Sequence, residues 1–448
     1  MSRHFKFLLK LFLPTVLFGL LYIIFFYFVS TPTVTTDCYV EDWNRVETWS
    51  LPHFWSHGLY KFLNLSREDN LTVDFSILSA YAFQDHISIV LTSQKLYKSR
   101  VYCRYLDCHR RELPGSRFSA EVFPESVVFC ARRVGARYMS VTMNPEEDIK
   151  ESVPVIRRDF QGPQHEFAVC MSPLYGDESK WLQIAEFVEH HKLQGVTYFY
   201  MYILSMNSYD QQILNSYQKS GDIDVIPIQD RFQRPALLYQ QIQIQDCHQR
   251  STNHAKWVAF IDIDERFDVI RGPPSIGIDL LREIEEDVGE VQVQVQRILK
   301  TEDYPERFES LEQVRREVTH VRYTNSTCPT WQALKMFIRP EKIAIMSVHY
   351  VIARYPNVQK IQLNPEKGRF RHYRNTKFRD FGNEWENGHH NFTLFPINPE
   401  FGRILTRNIE RKVEEVYKKV KFDCQTMSET SWKARKMIDP CLKLPVVV

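Results

Sequence analysis

Residues 257–268 read WVAFIDIDERFD: five residues without a charge, then Asp262, Asp264 and Glu265 in close succession. The apolar half has the length and composition of a buried strand. Side chains alternate along a strand, so Asp262 and Asp264 are expected on one face, with Ile263 packing on the other. Hard carboxylate oxygens of this kind suit Mg2+ or Mn2+, which would bridge them to a diphosphate and stabilise charge on a departing group. An Asp-x-Asp triplet alone is a weak signal, since most occurrences are solvated turns or helix caps. Its surroundings decide its meaning.

Upstream, apolar strand-like runs alternate with helical periodicity. Residues 167–174 (FAVCMSPL), 196–204 (VTYFYMYIL), 224–228 and 257–263 are expected strands. Between them, residues 178–193 carry Trp181, Leu182, Ala185, Val188 and Leu193 at near-helical spacing. Residues 209–220 form a second helix, closed by Gly221, and residues 235–254 a third. This alternation predicts an α/β domain over residues 166–400, a mostly parallel sheet flanked by helices. Ligands of such sheets sit beyond the carboxyl ends of the strands, where Asp262 and Asp264 lie.

Before that domain the chain has a different character. Arg3, His4, Lys6 and Lys10 precede residues 11–29, which carry no charge, and Asp37, Glu41 and Asp42 follow. This predicts a cytoplasmic tail (1–10), a transmembrane signal-anchor (11–29) and a lumenal remainder, against the alternative of a cleaved signal peptide. Residues 30–70 read as a stem. Residues 71–160 hold short β-branched runs broken by Gly, Pro and Asp and are expected to form a small β-rich module, stapled from Cys103 or Cys108 to Cys130. Residues 144–163 read as a linker, and residues 401–448 as a C-terminal helical extension.

Asn64, Asn70, Asn325 and Asn391 each open an N-x-[ST] sequon, and nine cysteines are compatible with disulfides in an oxidising compartment. No C-x-x-C pairs point to structural zinc. Cys170, inside an apolar run, reads as a small buried hydrophobe. With 57 Lys and Arg against 55 Asp and Glu, the near-neutral balance argues against a nucleic-acid partner.

The block AVCMSPLYGDESKWLQIAEFVEHHKLQGVTYFYMY, then SYQKSGDIDVIPI, then DCHQRSTNHAKWVAFIDIDERFDV, followed by RPEKIAIMSVHYV and FRHYRN, resembles glycosyltransferase family 92. Several motifs in the expected order, over about residues 166–380, carry the resemblance. It implies a GT-A fold, a UDP-sugar donor, a divalent metal and inverting transfer, typically of galactose, to a glycan such as the core fucose of N-glycans. Together with the anchor, it implies a type II membrane protein of the Golgi.

The candidate metal ligands are Asp262, Asp264, His372 and His349. His372 is favoured because Arg369, Arg371 and Arg374 surround it and could hold a diphosphate; His349 follows an apolar run and reads equally as a core histidine. Donor-binding candidates are Glu265, Arg234, Arg371 and Arg374, with a plain surface or loop role as the alternative for Glu265 and Arg234. Trp331 and Lys335 resemble a family segment near the acceptor side. An inverting transfer needs a carboxylate base. Glu302, Asp303 and Glu384 are the candidates, and the sequence does not choose among them. A catalytically silent relative that binds glycans or assists another subunit is the competing reading. A two-carboxylate hydrolase is disfavoured, because residues i and i+2 lie too close to flank a glycosidic bond.

Overall fold

The computed structural model describes residues 74–93, 95–133, 135–270, 277–375 and 393–418. The expected anchor and stem, the candidate base Glu384 and the sequons at Asn64, Asn70 and Asn391 lie outside the described residues. Within them, no helix is long and apolar enough to cross a membrane, and Asn325 is exposed.

Seven strands, β1 (Ile77–Ala82), β2 (His86–Leu91), β3 (Arg100–Leu106), β4 (Phe118–Glu121), β5 (Val127–Ala131), β6 (Tyr138–Thr142) and β7 (Val153–Arg157), form one sheet in the order β4-β3-β6-β7-β1-β2-β5. Strand β7 lies inside the stretch read as a linker. Its alternation is short and flanked by charge, so the pairing of Ala80 to Ala82 with Val155 to Arg157 on β1 is what fixes it. Ile87, Ile89, Leu91, Val101, Tyr105, Val128 and Val141 fill the core on one face of this sheet. Of the two staples considered, Cys103–Cys130 is the one formed.

The second sheet begins with β8 (His165–Leu174), β9 (Tyr198–Ile203), β10 (Ile223–Pro227) and β11 (Ala255–Ile261), linked by helices α1 (Trp181–Leu193), α2 (Ser208–Lys219) and α3 (Ala236–Ser251). These four strands are parallel, in the order β10-β9-β8-β11. Helix α2 starts where Asn207 accepts from the Asp210 amide at 2.8 Å and ends before Gly221, whose φ of 83° lies in the left-handed region that favours glycine.

The remaining strands are β12 (Glu265–Val269), β13 (Val288–Lys300), β14 (Asn325–Ser326), β15 (Thr330–Ile338), β16 (Ile343–Met346), β17 (Val351–Arg354), β18 (Gln359–Gln362), β19 (Gly368–Asn375) and β20 (Thr393–Leu394). Strand β15 runs antiparallel between β11 and β13, so the sheet is mixed rather than mostly parallel.

Both faces of the parallel half are buried, and its strands divide their side chains with period 2. Phe167, Val169, Met171, Phe199, Met201, Trp257, Ala259 and Ile261 pack towards α1 and α2. Ala168, Cys170, Tyr200, Tyr202, Val258 and Phe260 face α3 and, beyond it, Tyr81, Phe83, Val90 and Phe129 of the first sheet. The two sheets therefore share a core. Cys170 is not a lone hydrophobe: it is disulfide-bonded to Cys247 of α3. The expected extension also joins the main body. Helix α4 (Pro399–Tyr417) places Phe401, Leu405, Ile409, Val413 and Val416 on one stripe in the same cluster as α1, each contributing about 1.5–3 kcal/mol by burial.

Candidate active site

Strand β11 stops at Ile261. The next residues form a tight turn in which the Glu265 amide donates to Asp262 O at 3.0 Å and the Asp262 amide donates to Glu265 Oε2 at 2.8 Å. Asp262 and Asp264 thus lie on a turn, not on a strand, and the period-2 argument does not apply to them. Ile263, expected on the far side, lines the same cavity as its two neighbours. The competition between pleat and turn is settled by Glu265, whose side chain caps the backbone it follows.

The cavity, about 510 Å³, opens beyond the carboxyl ends of β8 and β11. Asp262, Asp264, Glu265, His349, His372, Arg374 and Asp303 all line it. Lys335 of β15, only 3% exposed, lies beneath the turn, with Nζ 2.9 Å from Asp262 Oδ2 and 2.8 Å from Glu265 Oε2. His372 stands opposite Glu265 in the β12–β19 ladder. Its Nε2 is 3.2 Å from Asp264 Oδ2, and Arg374 lies 3.9 Å from the same oxygen. Gln240 of α3 donates to Asp262 Oδ1 at 3.3 Å.

These contacts set the charge states. Burial alone would raise the Asp262 carboxyl, but the Lys335 ammonium outweighs it and holds it well below the usual range. Burial acts the same way on Asp264, where His372 reverses it. At Glu265 burial wins over Lys335, with help from Asp262, and the carboxyl is raised. His372 is raised, because Asp264 and Glu265 overcome the burial that would lower it. His349 is lowered by burial and then by Lys335.

Among the described residues, no three His, Cys, Asp or Glu side chains converge closely enough to hold a metal ion. The carboxylates are turned towards Lys335, His372 and Arg374 instead. The donor chemistry nevertheless fits a hard divalent cation: two carboxylates and an imidazole face one cavity, and Glu265 Oε1 and His349 Nδ1 are buried without a hydrogen-bond partner.

Other expected site residues lie elsewhere. Arg371 is 2% exposed, pairs with Asp268 at 2.8 Å and donates to the carbonyls of Phe395 and Pro396, so it cannot reach a donor. Alternation on β19 explains this, since His372 faces the cavity and its neighbour must face away. Arg234 pairs with Asp230 at 2.6 Å and donates to Asp74 O, bracing the first sheet. Glu302 is paired with Arg322 and does not line the cavity. Asp303 does line it, accepting from Asn375 Nδ2 at 2.9 Å.

Three contributors were missed. Lys335 was placed with the acceptor, although a lysine inside the buried run ALKMFI signals a paired charge. Tyr175 and Leu237, 46% and 75% exposed, form an apolar rim. Tyr175 follows the end of β8, the position where an α/β sheet meets its ligand.

Residues 165–405, more than half of the chain, match the model of glycosyltransferase family 92. No curated protein matches significantly. Among solved structures, glucosyl-3-phosphoglycerate synthase from Mycobacterium tuberculosis with phosphoglyceric acid is 10% identical, covering 58% of this chain and 82% of its own, with a TM-score of 0.26. The same synthase with Mn2+, uridine diphosphate and phosphoglyceric acid is 11% identical, covering 52% and 88%, also at 0.26. HddC from Yersinia pseudotuberculosis is 10% identical, covering 46% and 92%, at 0.24. At scores this low the likeness adds nothing to the strand order itself.

Proposed function

The chain belongs to glycosyltransferase family 92, and from that premise we propose that it moves a sugar, galactose by the family's pattern, from a UDP-sugar to a glycan acceptor with inversion. The observation that carries this reading is the meeting of Asp262, Asp264 and His372 in one cavity at the carboxyl end of β11. A GT-A enzyme binds its nucleotide diphosphate at that end of the sheet.

Asp264 and His372, with Asp262 beside them, would hold Mn2+ or Mg2+. When bound, the ion supplies positive charge to the leaving diphosphate. Arg374, which lines the same wall, adds a charge-assisted donor. The exposed face of Tyr175 offers a ring on which a planar group can stack. Of the three carboxylates considered as base, Asp303 is the one on the cavity wall, and it takes the proton of the acceptor hydroxyl. The Asn375 amide orients it. Two disulfides, Cys103–Cys130 and Cys170–Cys247, support work in an oxidising lumen, consistent with a type II protein of the Golgi.

The test is transfer by the purified full-length chain in detergent, with Mn2+, a panel of UDP-sugars and N-glycan acceptors. Turnover with UDP-galactose that stops on chelation supports the reading. Binding of UDP-sugar with neither transfer to any acceptor nor hydrolysis of the donor favours the silent relative. No binding of any UDP-sugar overturns both.

A further inference from the structure

The acidic turn carries three carboxylates, and they are divided unequally between two groups of cations. Asp262 and Glu265 share the Lys335 ammonium, at 2.9 and 2.8 Å. Asp264 faces His372 and Arg374 instead, and Glu265 also reaches His372, through its second oxygen, at 3.6 Å. Access differs as well: Lys335 and Glu265 are nearly closed to solvent, at 3% and 1%, whereas the side chains of Asp262, Asp264 and His372 are 28%, 19% and 16% open. Lys335 does not line the main cavity; it borders a smaller pocket, together with Asp262, Ser172, Gln240 and Gln243.

A buried carboxylate pair costs several kcal/mol unless a cation compensates it. A divalent ion and a tethered ammonium are alternative solutions to that problem, and the first can leave while the second cannot. We propose that Lys335 is a built-in second cation, which fills the Asp262–Glu265 half of the turn and restricts exchangeable divalent metal to a single ion on the Asp264–His372 half. Lys335 is in these terms a positioning residue. It touches neither donor nor acceptor, and it acts by deciding how many metal ions the site accepts and where. The proposal rests on the metal-dependent reading above and sharpens it.

A strand explains why a lysine can do this. On β15 the side chains of Leu334 and Met336 pack with the apolar cluster towards α3, and Phe337 with the cluster on the opposite face. Lys335 pairs with Val293 of β13, and Phe337 and Ile338 just beyond it pair with β11, which holds this stretch of β15 in the sheet. The ammonium is consequently fixed in place before any metal arrives.

The experiment is a calorimetric titration of Mn2+ into the full-length chain in detergent, without nucleotide. The wild type is expected to bind one ion. Lys335→Met is expected to bind two, because the Asp262 and Glu265 carboxylates it uncovers recruit a second, and Lys335→Arg to return to one. If Lys335→Met does not fold, the charge-relieved double variant Lys335→Met with Glu265→Gln is the second arm, and it is expected to bind one. One ion at unchanged affinity in a folded Lys335→Met, or two ions in the double variant, would overturn the proposal while leaving the metal-dependent reading intact. A wild type that takes up no Mn2+ would overturn the metal-dependent reading itself, and this proposal with it.

Discussion

Gln240 of α3 donates from Nε2 to Asp262 Oδ1 across 3.3 Å, which makes a helix that begins at the cavity rim part of the acidic turn. Gln240→Leu removes the donor with little change in volume. A hydrogen bond to a charged group is worth roughly 1.5–3 kcal/mol. The expected outcome is a fall in kcat/KM of about tenfold or more, with the melting temperature nearly unchanged.

The same helix is anchored from behind by Cys170–Cys247. The bridge closes a separation of 77 residues, so it restricts the unfolded chain as well as pinning α3 to β8. The double variant Cys170→Ser, Cys247→Ser is expected to lose roughly 2–4 kcal/mol in denaturant titrations. A variant as stable as the wild type would show that packing alone holds α3.

Asp246 ties the first sheet to the catalytic half. It is fully buried and accepts from Tyr81 at 2.8 Å, Tyr202 at 2.5 Å and Arg250 at 3.2 Å, with Ser79 as a fourth donor. Asp246→Ala removes the buried acceptor of Tyr81 and Tyr202 and leaves Arg250 with Asp224, at 2.9 Å, as its remaining carboxylate, and is expected to cost about 3–5 kcal/mol. For the same reason a fragment starting at residue 165 should fail to give a monomeric folded protein. Gel filtration and circular dichroism of that fragment check it.

Acid should weaken the fold. Burial pushes His191 down to about 3, with Arg266 adding to it, and burial pushes His248 down to about 4. Both are therefore neutral in the folded protein at pH 5, where unfolded histidines near 6.5 are charged. The unfolded chain binds more protons over that interval, so stability rises with pH from about 4 to about 6.5 and is lost as pH falls through it. Each histidine contributes roughly 2 kcal/mol of loss at pH 5 relative to pH 7.5. Thermal melts at the two pH values measure the sum, and His248→Gln should reduce the difference by the His248 share while the His191 share remains.

How much of this was legible in the sequence depends on the kind of signal. The alternation from residue 165 to 261 was, because buried parallel strands are continuous apolar runs and α1 to α3 carry periodic ones. The carboxyl end of β11 was found, two residues too late, from Asp262 and Asp264 read together with the uncharged run before them. What failed was any statement about side-chain direction past the last strand residue, since Glu265 folds back on Asp262 and converts the expected pleat into a turn. Arg371 and Arg234 were misplaced for a related reason: a charged residue beside a motif carries no sign of which way it points, and here Asp268 and Asp230 claim them. The antiparallel β15 between β11 and β13 was illegible because its paired partners are at least 35 residues away in sequence, the separation of Val295 and Thr330. Lys335 was visible as a charge in an apolar strand but could not be assigned until Asp262 and Glu265 were seen against its ammonium.

We propose the turn carrying Asp262 and Asp264 as the catalytic centre of a UDP-sugar transferase. The most direct test is the initial rate of transfer from UDP-galactose, with Mn2+, by the wild type and by Asp264→Asn at matched folding. The expected outcome is a fall in kcat/KM of at least about 100-fold, on the order of 2.7 kcal/mol of lost transition-state stabilisation. An Asp264→Asn variant that transfers within a factor of three of the wild type would contradict it.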